Sequence, residues 1–385
     1  MGDKVGIGIA GIGVIADLDV PGYLEHPDCE VVAVADPRID KVRPRAEAWG
    51  VDTVHETLDD LLADPRVDAV ELLTPTFLHH EHVLAAIAAG KPVSVQKPIA
   101  NTVSDGRAMI AAAEAADVPF RINENCCHFP PLERARELIR DGAIGTPTVI
   151  RIKTVVGRGE SDFQANVDPA SYEWRLDTRS PGGHLFDDVI HKYSMALWLV
   201  DEPVRSVQAV VRRGPMMFET PTVALWEYER DDLLGMMEVS HAPAMLIPSP
   251  QYGADEFFEI QGTHGLLWVT RCTGELTKSR LPALLLFKED GTTQDFPDVD
   301  VPYEVSHRRA SAAWVEANRD RTYDTVDFAP QTALEALQLC FAVYQASDQG
   351  VKVDPRTIDE AYGPPWWPPS VEDLVADYEK LSPWL

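Results

Sequence analysis

Asp187 and His191 stand four residues apart in the run Pro181-Gly182-Gly183-His184-Leu185-Phe186-Asp187-Asp188-Val189-Ile190-His191. On one helix, expected over residues 184–199, that spacing stacks a carboxylate one turn from an imidazole. Such a neighbour raises the ring's pKa and fixes its tautomer, which suits a proton carrier near neutral pH. His184 falls near the same stripe, two turns earlier. Asp188 and Lys192 are also four apart and read as a plain helix ion pair worth roughly a few tenths of a kcal/mol. A second kind of chemistry is written near the start, in Gly8-Ile9-Ala10-Gly11-Ile12-Gly13-Val14-Ile15-Ala16. Gly11-x-Gly13-x-x-Ala16 is a dinucleotide fingerprint with alanine in the third place. Gly11 permits a tight turn, Gly13 lets the backbone approach a pyrophosphate, and Ala16 lets helix and strand pack closely.

The fingerprint needs a strand before it, a helix after it and an acid at the end of the next strand. Residues 4–10 read as a buried strand, and residues 30–35 as a second strand that ends on Asp36. A carboxylate there should hold the ribose hydroxyls of NAD and repel a 2′-phosphate. NAD is therefore the expected cofactor, held by Gly11, Gly13, Val14, Ile15 and Asp36. Arg38, two residues on, keeps NADP as the second reading.

Strands and helices go on alternating to about residue 122. Helices are expected over 41–49, 80–89 and 103–116, with a Thr57-capped helix between the first two and Gly90 stopping the second. Further strands are expected over 67–73, 92–95 and 118–122, and residues 54–57 read as a short connection. Such alternation implies a doubly wound parallel sheet, whose ligands bind beyond the carboxyl ends of the strands. Three strand ends then face the glycine loop. They carry Thr74-Pro75-Thr76-Phe77-Leu78-His79, Gln96-Lys97-Pro98 and Asn123-Glu124-Asn125.

The second half is patterned differently. A helix is expected over 132–140 and a strand over 148–156. A polar loop, 157–180, carries Tyr172, Trp174 and Arg175. β-like runs follow at 204–212, 222–228, 234–241, 257–262, 265–270 and 283–288, and a last helix at 331–349. These suggest an α+β domain with a large, mostly antiparallel sheet, packed by helices on one face. The expected division is a Rossmann domain over residues 1–125 and a substrate-binding and oligomerisation domain over 126–385. The aromatic, proline-rich segment 363–369 reads as docked on the body.

Taken together, these stretches resemble the glucose–fructose oxidoreductase / inositol dehydrogenase / MocA family. The resemblance rests on GIAGIGVIA, VDAVELLTPTFLHHEHVLAAIAAGKPV and VQKP in the first half. In the second half it rests on PGGHLFDDVIH, EIQGTHGLLWV and APQTALEALQLCFAVYQASDQGVKV. It implies an NAD(P)-dependent oxidoreductase that takes hydride from a secondary hydroxyl of a sugar, glycoside or cyclitol. By the family pattern Lys97, Asp187 and His191 are the catalytic set. Thr74, Pro75, His79, Gln96, Lys97 and Asn125 join the cofactor site. His128, Tyr172, Trp174 and Arg175 join Lys97, Asp187 and His191 around the substrate. The free face of the second sheet is implied as the interface of a homodimer or homotetramer. Two positions depart from the pattern: Gln96 stands where the family usually has Glu, and Cys127-His128-Phe129 where many relatives carry an arginine near 128.

Bulk properties bound the alternatives. The formal net charge of −28 over 385 residues argues against nucleic acid as a partner. No apolar run reaches the roughly 18 residues of a membrane span, and the first strand starts too early for a secretory signal, so a cytoplasmic protein is expected. The five cysteines show no C-x-x-C spacing and read as reduced thiols. His79, His80 and His82 lack further ligands at metal spacing, and no metal is expected. Two other functions stay open: a redox-neutral oxidase, epimerase or lyase that retains its NAD, and a non-catalytic NAD-binding sensor or corepressor.

Overall fold

The computed structural model describes residues 4–159, 183–214, 219–323 and 328–364, with 179, 181 and 376. Two compact units emerge. One comprises Met1–His128 with Glu304–Leu334, the other Phe129–Tyr303 with Glu335–Leu385.

The first unit alternates β1 (Val5–Ala10), α1 (Ala16–Glu25), β2 (Cys29–Ala35), α2 (Ile39–Ala48), β3 (Val54–His55), α3 (Leu58–Ala63), β4 (Ala69–Leu72), α4 (His79–Ala88), β5 (Val93–Gln96), α5 (Val103–Ala116) and β6 (Phe120–Asn123). The strands pair in parallel in the order β3-β2-β1-β4-β5-β6. All six residues of β1 are buried, as a strand covered on both faces requires. Thr57 caps α3 by accepting from the Asp60 N–H, and Gly90, at φ +68°, turns the chain after α4. The segment expected as a connection at 54–57 contains β3, whose two residues are too few to show a period. Strand order reverses between β1 and β4, which sets the ligand crevice beyond their carboxyl ends.

The second unit runs through α6 (Pro130–Arg140), β7 (Pro147–Arg158), α7 (His184–Asp187), α8 (Ile190–Trp198), β8 (Val204–Val211), β9 (Thr222–Tyr228), β10 (Leu234–Leu246), β11 (Ala254–Gly262), β12 (Gly265–Val269), β13 (Leu284–Lys288) and β14 (Thr293–Asp295). Its sheet has the order β14-β13-β12-β11-β7-β10-β9-β8, and every pair but β7 with β10 is antiparallel. Burial alternates along the strands: Ala224, Trp226 and Tyr228 are buried, while Val223 and Leu225 between them are 56% and 40% exposed. Two longer helices follow, α9 (Glu304–Asp320) and α10 (Pro330–Gln349).

The 17-residue α9 is absent from the sequence reading, and it belongs with the first unit. It lies against α1, and the contact is so close that a Cβ on Gly22 would sit 2.7 Å from both Cα and O of Arg308. Trp314 and Val315 enter the core with Ile7, Ile9, Tyr23 and Val34. Gly22→Val should therefore force α1 and α9 apart and cost about 1–3 kcal/mol. Urea unfolding of the intact protein measures this, and an unchanged midpoint would refute the close approach.

Candidate active site

The glycine loop leaves β1 with Gly11 at φ +89°, its N–H bonded to the Ala35 carbonyl at 2.8 Å. A Cβ there would lie 2.7 Å from the Leu73 backbone, so only glycine fits. At Gly13 an added Cβ would meet nothing within 4 Å, which leaves the approach to the backbone open. Val14 is exposed, Ile15 half-buried, and Ala16 opens α1 fully buried.

Asp36 shapes the glycine loop. Its Oδ2 accepts the Ile12 N–H at 3.0 Å, which fixes the loop, and Arg38 closes on it through its backbone N–H, Nε and Nη2. Burial works against the charged carboxylate, but the bonds from Arg38 and Ile12 outweigh it and hold Asp36 below the usual carboxylate range. The Arg38 side chain is half exposed. A loop fixed this way, an open Gly13 and an acceptor at the second strand end fit an NAD molecule. Sequence reasoning missed Arg45, which reaches from α2 to the carbonyls of Ile12 (2.8 Å) and Gly13 (3.2 Å), and pairs with Asp17. Its place in α2, one turn from its C-terminus, carries no motif.

Beyond β4, the half-buried Thr74 and Pro75 lead into a short turn. His79 is buried between two carbonyls, with Nε2 2.9 Å from Thr74 O and Nδ1 2.9 Å from Pro98 O. Burial pushes the ring down to about 4, so it is neutral at pH 7 and gives its single proton to one of them. His79 thus sits between the loop after β4 and the loop after β5, hydrogen-bonded to one carbonyl and packed against the other. Beside it, Lys97 is half-buried, and its N–H donates to Gln96 Oε1 at 3.0 Å. The Gln96 amide in turn donates to Asp19 Oδ2 at 3.1 Å. Asn125 is buried after β6, where its Nδ2 donates to Ser306 Oγ at 2.8 Å. His128 is buried and pushed down to about 3, first by burial and then by Arg121 and Arg309.

In the second unit the expected helix over 184–199 is two helices. Asp188 N–H and Val189 N–H both bond to the His184 carbonyl, and His191 N–H then bonds to Asp188 O at 3.2 Å. The doubled acceptor widens one turn and the following turn restarts, with β-branched Val189 and Ile190 at the break. Half-buried Asp187 therefore ends α7, and buried His191 lies in the first turn of α8; their four-residue spacing does not lie on one unbroken helix. Nor is Lys192 a surface partner of Asp188. It is 3% exposed, with Nζ 3.0 Å from Glu256 Oε1 and 3.3 Å from Asp188 Oδ2. Thr273 completes Glu256 through its N–H and hydroxyl. The stripe His184, Asp188, Lys192 hinted at this row, but Glu256 lies far along the chain. Tyr172, Trp174 and Arg175 lie outside the described residues.

A further buried acid anchors α7. Glu219 Oε2 accepts the Leu185 N–H at 3.1 Å, and the Tyr344 hydroxyl donates to Oε1. The Gly183 N–H approaches the same hydroxyl at 3.4 Å. Burial dominates here and lifts the Glu219 carboxyl from 4.5 to about 7 despite these donors.

Residues 5–124 match the family model described as an oxidoreductase family with an NAD-binding Rossmann fold, and residues 132–268 match the model of the GFO/IDH/MocA C-terminal domain. An oxidoreductase of Bacillus subtilis, YrbE, is 24% identical over 69% of this chain and 73% of its own. A myo-inositol 2-dehydrogenase of Thermotoga maritima is 31% identical over 53% of this chain and 57% of its own. A scyllo-inositol dehydrogenase of Lactobacillus casei, solved with NAD(H) and scyllo-inositol, shares the fold with a TM-score of 0.72 at 19% identity. That match covers 92% of this chain and all of the other.

The raised carboxyl of Glu219 makes stability depend on pH. The folded state holds the proton more tightly than the unfolded chain. The stabilisation is therefore complete below about 4.5 and is lost as pH rises through about 7. Glu219→Gln removes that loss, worth on the order of 3 kcal/mol. The melting temperature of the variant should gain on the native protein between pH 5 and 8, and parallel curves would contradict the assignment.

Proposed function

The chain belongs to the GFO/IDH/MocA family of NAD-binding oxidoreductases, and from this premise we propose that it is an NAD-dependent dehydrogenase of a sugar, glycoside or cyclitol. The observation that carries the reading is the carboxyl end of the parallel sheet. There the glycine loop, Asp36, Lys97 and the loops on either side of His79 all stand beyond the carboxyl ends of adjacent strands. Relatives named as acting on myo-inositol and on 1,5-anhydro-D-fructose support the polyhydroxylated substrate class.

Bound NAD supplies the hydride acceptor. The chain's own part is to handle the proton and the charge of the substrate oxygen. His191 takes the hydroxyl proton on a ring nitrogen. Lys97 Nζ donates to a substrate oxygen and stabilises negative charge as it develops there. Asp187 orients His191 or accepts from a neighbouring hydroxyl. Asp36 selects the ribose hydroxyls of NAD over a 2′-phosphate, and the same position of Arg38 keeps NADP measurable in comparison.

We also propose that the chain assembles through the free face of its second sheet. Val210 pairs with Val223 and Leu225 with Met236 across β8, β9 and β10, and Val210, Val223, Leu225 and Leu234 are each at least 40% exposed. These exposed apolar residues, interleaved with Gln208, Glu227 and Glu238, fit a second copy of the chain.

A polyol and glycoside panel followed by NADH absorbance, run in parallel with NADP, should give turnover with NAD. Lys97→Met should lower kcat by about 10³-fold or more while the Kd for NAD changes less than about threefold; full turnover would reject the role. Leu225→Asp should reduce the solution mass measured by light scattering, and a monomeric native protein would reject the interface.

A further inference from the structure

The Gln96 side chain stands between a buried carboxylate and the backbone of Lys97. Asp19 lies on α1 with no exposed surface. Its Oδ1 is 2.7 Å from His307 Nδ1 on α9, and its backbone carbonyl accepts Ser311 Oγ at 2.8 Å. Its Oδ2 accepts the Gln96 amide, whose own oxygen accepts the Lys97 N–H. Gln96 is thus a donor toward Asp19 and an acceptor toward Lys97 in one planar group, which a carboxylate cannot be. A glutamate here would set a second carboxylate about 3 Å from Asp19, and two acids so close cannot both stay ionised. Glu71 makes the layer still less tolerant. It is fully buried, and burial together with the charge of Asp19 raises its carboxyl, against the pull of Arg121.

We propose that Asp19 and Gln96 form a split acid–amide pair that positions Lys97, with the negative charge carried on α1 and the amide at the strand end. Gln96 is a positioning residue, since it acts on the lysine's backbone and not on the substrate. Asp19 holds the amide in the one orientation that offers its oxygen to Lys97, and His307 holds Asp19. The pair joins the helix behind the glycine loop to the strand end that carries the lysine, so both halves of the first unit's crevice share one polar link. This inference rests on the role proposed for Lys97, but the pairing itself can be tested apart from it.

The test compares the native protein with Gln96→Glu, Asp19→Asn and the swapped double variant Asp19→Asn/Gln96→Glu. In the swap, one carboxylate and one amide again face each other with donor and acceptor exchanged. Gln96→Glu should lower kcat about tenfold or more while the KM for NAD stays within about threefold, and it should lower the melting temperature. The swap should recover at least about fivefold of the lost kcat and most of the melting temperature. If Gln96→Glu is insoluble, recovery of folded protein in the swap supports the pair. A swap as impaired or as insoluble as Gln96→Glu, or a Gln96→Glu within about twofold of native kcat, overturns it. A native protein that oxidises no polyol rejects the proposed activity instead, and the melting temperatures of the four proteins then decide the pairing alone.

Discussion

The hydrogen bond from the Ile12 N–H to the Asp36 carboxylate fixes the geometry on which the rest of the first unit's site depends. A loop between a buried strand and a helix has backbone N–H groups that must be aimed, and a ligand's phosphates can use them only if the loop keeps its shape without the ligand. Asp36 supplies that shape from the neighbouring strand, Leu73 walls it at Gly11, and Arg45 grips the loop's carbonyls from α2. The same carboxylate therefore serves as scaffold and as candidate ribose acceptor. Its ionised state is held by Arg38 and Ile12 against burial, so the charge persists across the neutral range.

Charge out of water is handled the same way elsewhere. Asp19, Glu71, Glu219 and Glu256 are all buried, and each meets specific donors: His307 and Gln96, Tyr23 and Asn123, Leu185 and Tyr344, Lys192 and Thr273. Removing one member of such a set leaves the other uncompensated, which costs more than the bond itself. These networks specify arrangement as much as they stabilise. Glu219 carries the point furthest, since its donors do not fully offset burial and its proton is held into the neutral range.

The parallel sheet was legible because its information is local. An apolar strand, a glycine turn and an acid at a strand end lie within the first 36 residues, and the helix caps at Thr57 and Gly90 sit where their chemistry predicts. The antiparallel strands of the second unit were legible from alternation, as at 222–228. What escaped was set by distant partners or by backbone detail. Asp19 and His307 are 288 residues apart, and Glu219 meets Tyr344 across 125. No spacing announces such pairs. The break between Asp187 and His191 escaped because helix periodicity cannot show one carbonyl taking two N–H groups. Gln96 could be recognised as a departure, but its reason was invisible until Asp19 stood opposite.

The discontinuity of the first unit has a consequence for the order in which a growing chain can mature. Ribosomes deliver residues 4–128 long before α9, yet the groove on α1 that Gly22 opens is filled only by residues near 308, and Asp19 meets its histidine only at 307. Some 180 further residues separate the nascent Rossmann sheet from the helix that covers this face of α1. Only when α9 has left the exit tunnel can that face close. Assembly of the nucleotide-binding half is in this sense a late event in biosynthesis, although its sequence comes first.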